Sequence, residues 1–473
     1  MTLPVRPWTV LAGDCRERLR ELDAESVDAC VTDTPYGLST LLDPPNLDRE
    51  ALWAKLTAGL QESPIRTLLR SWLATGENPK VKGRGFMGRE WDALVPPPNT
   101  WREVWRVLKP GAYCLAFGGT RTYALIEMSL RLADFEVEDT VSWLYGQGFP
   151  KRVRLDLKID QHHGKATPDA NRFVGWDRAL RPGWEPIIVA CKPLRGTVAE
   201  NALAYGTGGL HVDACRLERG DGGPLRWNET RGMGYAADGS RRQGRDAGAC
   251  GFTQDARGGY PANVAMDEET AAALDQMSGI YKTSAPSNFG IMGRPGVSSS
   301  VAMGSFADKS RPTSAYGDHG GASRFFYTAK ASTSERDAGL EDLPPLTAGE
   351  RCDREDGSGG VTAYAGTRGD GGRNPHPTVK PVSLMRWLCR LASPPGAWDI
   401  DESRRPVIVD PFAGSGSTGV AALAEGVRFI GCELDPQMAG VMRRRLQHAY
   451  ALPREEAQVD RSAAPSGTQS TLF

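Results

Sequence analysis

The stretch from residue 407 to residue 419, Val-Ile-Val-Asp-Pro-Phe-Ala-Gly-Ser-Gly-Ser-Thr-Gly, most strongly constrains how this chain folds. Three apolar residues ending at Asp410 predict a buried strand, the glycines predict a sharp turn, and residues 419–426 predict the helix that follows. Such a turn directs free N–H groups at a ligand. A loop of this kind normally opens its domain, yet here it lies near the end of a chain of 473 residues. Its late position therefore has to be explained by the order of the strands.

Strands and helices alternate in the first third of the chain. Apolar, β-branched runs over residues 8–13 and 27–33 predict two strands around a helix at residues 16–22. Further on, Lys109-Pro110-Gly111 is predicted to end a helix and to precede a strand over residues 112–117. Alternation of this kind predicts an α/β fold in which helices cover a parallel sheet.

The glycine-rich loop admits more than one ligand. Gly414-Ser-Gly416-Ser-Thr-Gly419 matches the dinucleotide fingerprint, with Glu433 placed where a ribose-binding carboxylate belongs, and this pattern alone predicts a nicotinamide enzyme. A purely structural tight turn is the plainer alternative. Asp410 favours a different ligand, because a carboxylate pairs with an ammonium and not with a pyrophosphate. A sulfonium amino acid joined to adenosine carries such an ammonium. The candidate cofactor-binding residues here are Asp410, Pro411, Phe412, Gly414, Ser415, Gly416, Thr418 and Glu433.

The second motif is Asp33-Thr34-Pro35-Tyr36, directly after the apolar residues 27–31. Methylating an exocyclic base amine is difficult because the nitrogen lone pair is delocalised into the ring. The Asp33 carboxylate and the Thr34 carbonyl are each suited to accept one amine hydrogen, which stabilises the positive charge that develops there. Tyr36 is suited to stack on an extruded base. An ordinary Asp-x-Pro turn after a strand is the structural alternative.

Together the two motifs resemble the DNA amino-methyltransferases, adenine-N6 or cytosine-N4, which use S-adenosylmethionine. The family's catalytic tetrapeptide is Asp-Pro-Pro-Tyr, and this chain departs from it at Thr34. Because the family uses the carbonyl of that residue, the resemblance implies that the chemistry survives. Thr34 nevertheless adds an N–H and is expected to loosen the turn.

Further segments extend the resemblance. His376-Pro377-Thr378-Val379-Lys380-Pro381 resembles the family's cofactor-site motif before a helix, which implies cofactor-binding roles for Thr378 and Lys380. Residues 86–92, 143–151, 184–190 and 324–330 resemble a phage and prophage branch of the family. The catalytic tetrapeptide precedes the cofactor loop, which in the family defines the permuted, beta arrangement. The first strand is then expected beside the strand ending at Glu433, placing Asp14 near the cofactor adenine.

The expected fold is therefore a Rossmann-like α/β methyltransferase sheet with permuted motif order and an inserted target-recognition region. The predicted segments are a catalytic half (1–38 and 86–195), a helical insertion (39–85), a loop-rich recognition region (196–375, disordered at 351–373), a cofactor-binding half (376–450) and a disordered tail (451–473).

Composition limits the remaining possibilities. Lysine and arginine number 57 against 58 acidic residues, so anionic ligands must meet local basic patches such as Arg443, Arg444 and Arg445. Nine cysteines occur singly, without a Cys-x-x-Cys pair, and predict neither a disulfide framework nor a metal site. We find no signal-peptide pattern and no apolar run of about 18 residues. A soluble cytoplasmic protein without a membrane span is expected.

The predicted reaction is direct transfer of a methyl group from S-adenosylmethionine to the exocyclic amine of a base flipped from double-stranded DNA. Adenine N6 is favoured over cytosine N4, because an aspartate at the head of the tetrapeptide is commoner in the adenine enzymes of the family. The rivals are a nicotinamide oxidoreductase and a non-catalytic DNA-binding relative disabled at Thr34. A homodimer and a restriction-enzyme partner are both compatible with the chain.

Overall fold

The computed structural model describes most of the chain as two compact units. The described residues are 7–36, 64–80, 94–146, 153–217, 225–227, 252–254, 259–282, 319–329, 333–346, 372–376, 379–396 and 401–452. Unit 1 contains Met1–Asp139, Ile187–Leu210 and Ala331–Phe473, and unit 2 contains Thr140–Pro186 and His211–Lys330. The segment 351–371, the tail from 453 and Thr378 lie outside the described residues.

The elements are numbered in chain order. The strands are β1 (Trp8–Ala12), β2 (Val27–Asp33), β3 (Leu108–Phe117), β4 (Glu136–Leu144), β5 (Trp184–Cys191), β6 (Leu225–Trp227), β7 (Phe252–Gln254), β8 (Val264–Asp267), β9 (Tyr281–Lys282), β10 (His319–Gly320), β11 (Tyr327–Ala329), β12 (Val407–Asp410) and β13 (Arg428–Glu433). The helices are α1 (Cys15–Leu19), α2 (Pro64–Thr75), α3 (Pro98–Val107), α4 (Tyr123–Arg131), α5 (Leu155–His163), α6 (Pro168–Asn171), α7 (Val198–Tyr205), α8 (Glu268–Ser278), α9 (Thr333–Asp337), α10 (Val382–Ala392), α11 (Ser417–Ala424) and α12 (Pro436–Ala451).

The sheet of unit 1 has the order β1-β13-β12-β2-β3-β5. Neighbours in it are parallel, except that β5 runs antiparallel to β3. Two strands from the end of the chain therefore lie between two strands from its beginning. This order confirms the predicted permuted α/β sheet and explains why the glycine-rich loop occurs so late.

The strand register brings the carboxyl ends of four parallel strands to one edge. Ala12 at the end of β1 is opposite Glu433 at the end of β13, and Asp33 at the end of β2 is opposite Phe117 at the end of β3. Ligands of open α/β sheets bind at this edge. The first strand was predicted to lie beside the strand that ends at Glu433, and the pairing of β1 with β13 confirms this.

Apolar spacing explains the helices that cover the sheet. In α3 the buried residues Trp101, Val104 and Val107 recur every three positions and share one face, and Pro98 stands at its start, where its missing N–H costs nothing. The helix ends at Val107, and β3 already begins at Leu108. The expected break at Lys109-Pro110-Gly111 is therefore part of a strand, with an irregular register opposite Val27 to Ala29.

Unit 2 has its own pairing of strands. Ser142–Leu144 of β4 pair in parallel with Val264–Met266 of β8, which pairs in parallel with β11. The helix α8 begins after Asp267, whose carboxylate accepts the backbone N–H of Thr270 at 2.8 Å. Within the described residues of both units, no helix combines the length and the apolar character needed to cross a bilayer.

Candidate active site at the strand ends

The two sequence motifs meet at neighbouring strands. β12 pairs with β2 through Ile408 opposite Ala29 and Val409 opposite Cys30. The ends of these strands are also joined by side chains, because the Thr32 hydroxyl donates to Asp410 Oδ1 at 2.6 Å. Residues nearly four hundred positions apart in sequence thus share one edge of the sheet.

Asp410 is enclosed by donors of its own chain. It is 2% exposed, Phe412 N donates to Oδ1 at 3.0 Å, and the Thr418 hydroxyl donates to Oδ2 at 2.6 Å. Burial raises the pKa of Asp410 to about 7, although the hydrogen bonds from Thr32 and Thr418 oppose the rise. The carboxylate therefore fixes the start of the loop and the first turn of α11 to the ends of β2 and β12.

The glycine-rich loop needs its glycines. Gly414 and Gly416 have φ of +51° and +83°, a region that L side chains rarely adopt. A Cβ at Gly416 would lie 2.6 Å from Met442 Cγ, and one at Gly414 would lie 2.8 Å from His376 Nε2. The loop thus packs closely between α12 and the segment before α10, and α11 begins directly after it.

Glu433, at the end of β13, binds the backbone of the same loop. Its Oε2 accepts the N–H of Gly414 at 2.8 Å, and its Oε1 accepts the N–H of Asp435 at 2.8 Å. Burial raises the pKa of Glu433, and these two hydrogen bonds partly oppose the rise. A carboxylate oxygen can accept more than one hydrogen bond, so Glu433 keeps acceptor capacity for a ligand.

Asp33, Tyr36 and Lys380 form one hydrogen-bonded cluster, called here the Asp33 cluster. The Tyr36 hydroxyl donates to Asp33 Oδ1 at 3.0 Å, and Lys380 Nζ lies 2.9 Å from Asp33 Oδ2 and 3.0 Å from the Tyr36 hydroxyl oxygen. The Lys380 ammonium also lies 5.2 Å from the centre of the Tyr36 ring and 5.0 Å from that of Phe117. The lysine that the resemblance assigns to the cofactor site thus contacts Asp33 and Tyr36 of the tetrapeptide.

Thr34 is held by a hydrogen bond that proline could not make. Its hydroxyl donates to the carbonyl oxygen of Phe117 at 2.6 Å, and the residue is 4% exposed. Thr122 Oγ1 donates to the Tyr36 carbonyl oxygen. The Thr34 side chain thus ties the tetrapeptide to the end of β3, which opposes the expected loosening of the turn.

Other predicted site residues have structural contacts. Asp14 caps α1 by accepting the N–H of Arg16 at 2.9 Å, and the Arg16 guanidinium bonded to it lowers the pKa of Asp14. Phe412 packs edge to face on Trp101, with ring centroids 6.0 Å apart. Pro411 and Ser415 lie in the loop as predicted, and Ser415 is buried.

Two residues that support the loop were missed from the sequence. Asn374 is fully buried, and its Nδ2 donates to Ser415 Oγ at 3.2 Å. Arg445 was assigned to a basic surface patch, yet it is 1% exposed and its Nη1 donates to the Ser415 carbonyl oxygen at 2.8 Å. Desolvation lowers the pKa of Arg445 to about 10. Its inward position on α12 was detectable only from the helical phase relative to Met442 and Leu446.

Part of the chain matches a known family model. Residues 333–443 match the DNA methylase family model, N6_N4_Mtase. This stretch contains the glycine-rich loop, the strand ending at Glu433 and Lys380. The resemblance to DNA amino-methyltransferases is therefore confirmed over these residues.

Individual relatives match parts of the chain. The type II methyltransferase M.HindIII of Haemophilus influenzae is 26% identical over 196 residues, which cover 40% of this chain and 60% of the relative. The DNA adenine methyltransferase YhdJ of Escherichia coli is 37% identical over 81 residues, 17% of this chain and 24% of the relative. The chain thus spans less than two thirds of the length of these relatives.

Among solved structures, PvuII DNA methyltransferase, named as cytosine-N4-specific, covers 93% of this chain and 86% of its own, with 12% identity and a TM-score of 0.37. The fold assignment rests on the strand order described above.

Proposed function

We propose that this protein is a DNA amino-methyltransferase that transfers a methyl group from S-adenosylmethionine to an exocyclic base amine in double-stranded DNA. One observation carries the proposal. The pairing of β2 with β12, locked by the Thr32 to Asp410 hydrogen bond, brings Asp33 and the glycine-rich loop to adjacent strand ends. The two halves that such a reaction needs, a base-amine acceptor and a cofactor loop, are thereby next to each other.

The strand-end residues fit the proposed cofactor. Gly414, Gly416 and the N-terminus of α11 supply a tight turn with backbone N–H groups, and Glu433 supplies a carboxylate suited to ribose hydroxyls. Asp410 contributes to the cofactor site by fixing the conformation of this loop. S-adenosylmethionine supplies an already activated methyl group when bound, so the protein contributes mainly positioning.

The tetrapeptide supplies the groups that act on the base. The Asp33 carboxylate and the Thr34 carbonyl would each accept one amine hydrogen, which keeps the nitrogen lone pair available and stabilises the positive charge of the transition state. Tyr36 would stack on the flipped base, and stacking offsets part of the few kcal/mol that flipping costs. Pro35 fixes the backbone between these groups.

We favour adenine N6 as the methylated atom. Asp33 heads the tetrapeptide, and the relative YhdJ is named as an adenine methyltransferase. Mass spectrometry of nucleosides from unmethylated bacterial DNA treated with the protein would decide between the bases. We expect N6-methyladenine, and N4-methylcytosine without N6-methyladenine would reverse the choice.

Calorimetry tests the cofactor assignment separately. We expect the protein to bind S-adenosylmethionine and its demethylated product, and Gly416→Ala to bind neither. Binding of NAD without S-adenosylmethionine would favour the oxidoreductase alternative and contradict the proposed cofactor.

A further inference from the structure

Each carboxylate oxygen of Asp33 already has a donor beside it without a base. Its Oδ1 accepts the Tyr36 hydroxyl at 3.0 Å, and its Oδ2 lies 2.9 Å from the Lys380 ammonium. The side chains of Lys380 and Asp33 are only 11% and 22% exposed. Under the proposed function, on which this inference rests, Asp33 must instead accept a hydrogen from the target amine.

The Lys380 ammonium cannot keep its place at Asp33 while a methyl group is transferred. The transition state places positive charge on the amine nitrogen, and a partly buried ammonium on the same carboxylate would repel that charge. It would also occupy an acceptor site that an amine N–H needs. The contact therefore belongs to the base-free enzyme and has to break when a base arrives.

The Lys380 ammonium has contacts besides Asp33. Lys380 Nζ lies 3.0 Å from the Tyr36 hydroxyl oxygen and faces the rings of Tyr36 and Phe117 at 5.2 Å and 5.0 Å. Aromatic faces attract cations over such distances. A rotation about the lysine side-chain bonds can therefore release Asp33 while the rings continue to hold the charge.

We propose that Lys380 is a positioning residue that holds Asp33 and Tyr36 in place in the base-free enzyme, and that the amine of the flipped base displaces it from Asp33. The lysine thus imitates the substrate amine at its acceptor. Its charge competes with the base, and the strength of the Lys380 to Asp33 contact sets how readily a base enters.

Two substitutions with opposite expectations test this role. Lys380→Met keeps most of the length of the side chain and removes the competing donor, so the KM for DNA should fall at least threefold. Lys380→Arg offers a planar fork that binds the Asp33 carboxylate through two N–H groups, so kcat/KM for DNA should fall at least tenfold. If Lys380 served only to stabilise the fold or to supply a positive charge, Lys380→Arg would instead be the more active of the two variants.

Lys109→Met is the matched control. Lys109 Nζ also pairs with an aspartate, Asp28, at 2.6 Å, but this pair lies at the opposite end of β2 and β3 from the cluster. Its loss should lower stability and leave the KM for DNA and kcat unchanged.

The readout is transfer of tritiated methyl groups to unmethylated bacterial DNA at several DNA concentrations. Urea unfolding of Lys380→Met, Asp33→Asn and the double variant measures the coupling free energy between the two side chains without substrate. A coupling free energy close to zero would show that the Lys380 to Asp33 contact does not hold the base-free enzyme. Wild-type kinetics in Lys380→Arg together with inactivity in Lys380→Met would overturn the displacement while leaving the methyltransferase assignment intact. Absence of transfer by the wild type would refute both.

Discussion

Replacing Thr34 by valine tests how this chain accommodates its departure from the family's tetrapeptide. Valine keeps the shape of threonine and removes the hydroxyl that donates to the Phe117 carbonyl at 2.6 Å. Both residues are buried, so the carbonyl oxygen loses a partner that water does not readily replace. Leaving a buried acceptor unsatisfied costs about 1–3 kcal/mol in the free energy of unfolding.

The same hydrogen bond fixes the carbonyl and carboxylate that act on the base. If about 1.4 kcal/mol of it is expressed in the transition state, kcat for methyl transfer falls about tenfold. Thr34→Ser is the matched control, because it keeps the hydroxyl and loses only one buried methyl, at about 1 kcal/mol of stability. Urea unfolding and single-turnover methyl transfer measure the two effects.

Thr34→Val should therefore lose as much stability as Thr34→Ser or more, and only Thr34→Val should lose rate. Wild-type kcat in Thr34→Val together with a reduced kcat in Thr34→Ser would refute the role of the hydroxyl.

Two other predictions concern the cofactor loop. Gly416→Ala should cost about 1–2 kcal/mol for the left-handed backbone alone, and more for a Cβ placed 2.6 Å from Met442 Cγ; the partly exposed helical Gly440, where a Cβ meets nothing within 4 Å, is its control. Gly440→Ala should add up to about 1 kcal/mol in urea unfolding, and equal stability of the two variants would contradict the loop geometry. The pKa of Asp410 is raised from 3.8 to about 7 in the folded protein. Between these pH values the folded state keeps a proton that the unfolded state has lost. The contribution of protonated Asp410 to stability should therefore be complete below about pH 3.8 and should be lost as the pH rises through about 7. Comparing urea unfolding at several pH values in wild type and Asp410→Asn isolates this dependence, and parallel pH profiles would show the assignment to be wrong.

The positions of the strand ends were predictable because they depend on local patterns. Apolar runs ending in Asp33, Asp410 and Glu433 predicted three buried strands, and motif order predicted how they are arranged. In a parallel sheet the residues at the carboxyl ends of the strands lie along one edge, where ligands bind. These features can be predicted from short stretches of sequence and from the order of the two motifs along the chain.

The contacts between distant side chains were not predictable in the same way. Lys380 and Asp33 are 347 positions apart in sequence, and Thr34 and Phe117 are 83 positions apart. Sequence patterns report which face a side chain occupies and not which group it bonds to. The buried Arg445 was hidden for a related reason, because two arginines precede it and a basic run predicts a solvated surface.

The most direct test of the central claim is transfer of tritiated methyl groups from S-adenosylmethionine to unmethylated double-stranded DNA by wild type and Asp33→Ala. Asp33 is only partly buried, and its replacement leaves the Thr32 to Asp410 hydrogen bond in place, so the variant should remain folded. The account predicts transfer by the wild type and a loss of at least a hundredfold in Asp33→Ala, with S-adenosylmethionine binding retained. Equal transfer by the two proteins would contradict it.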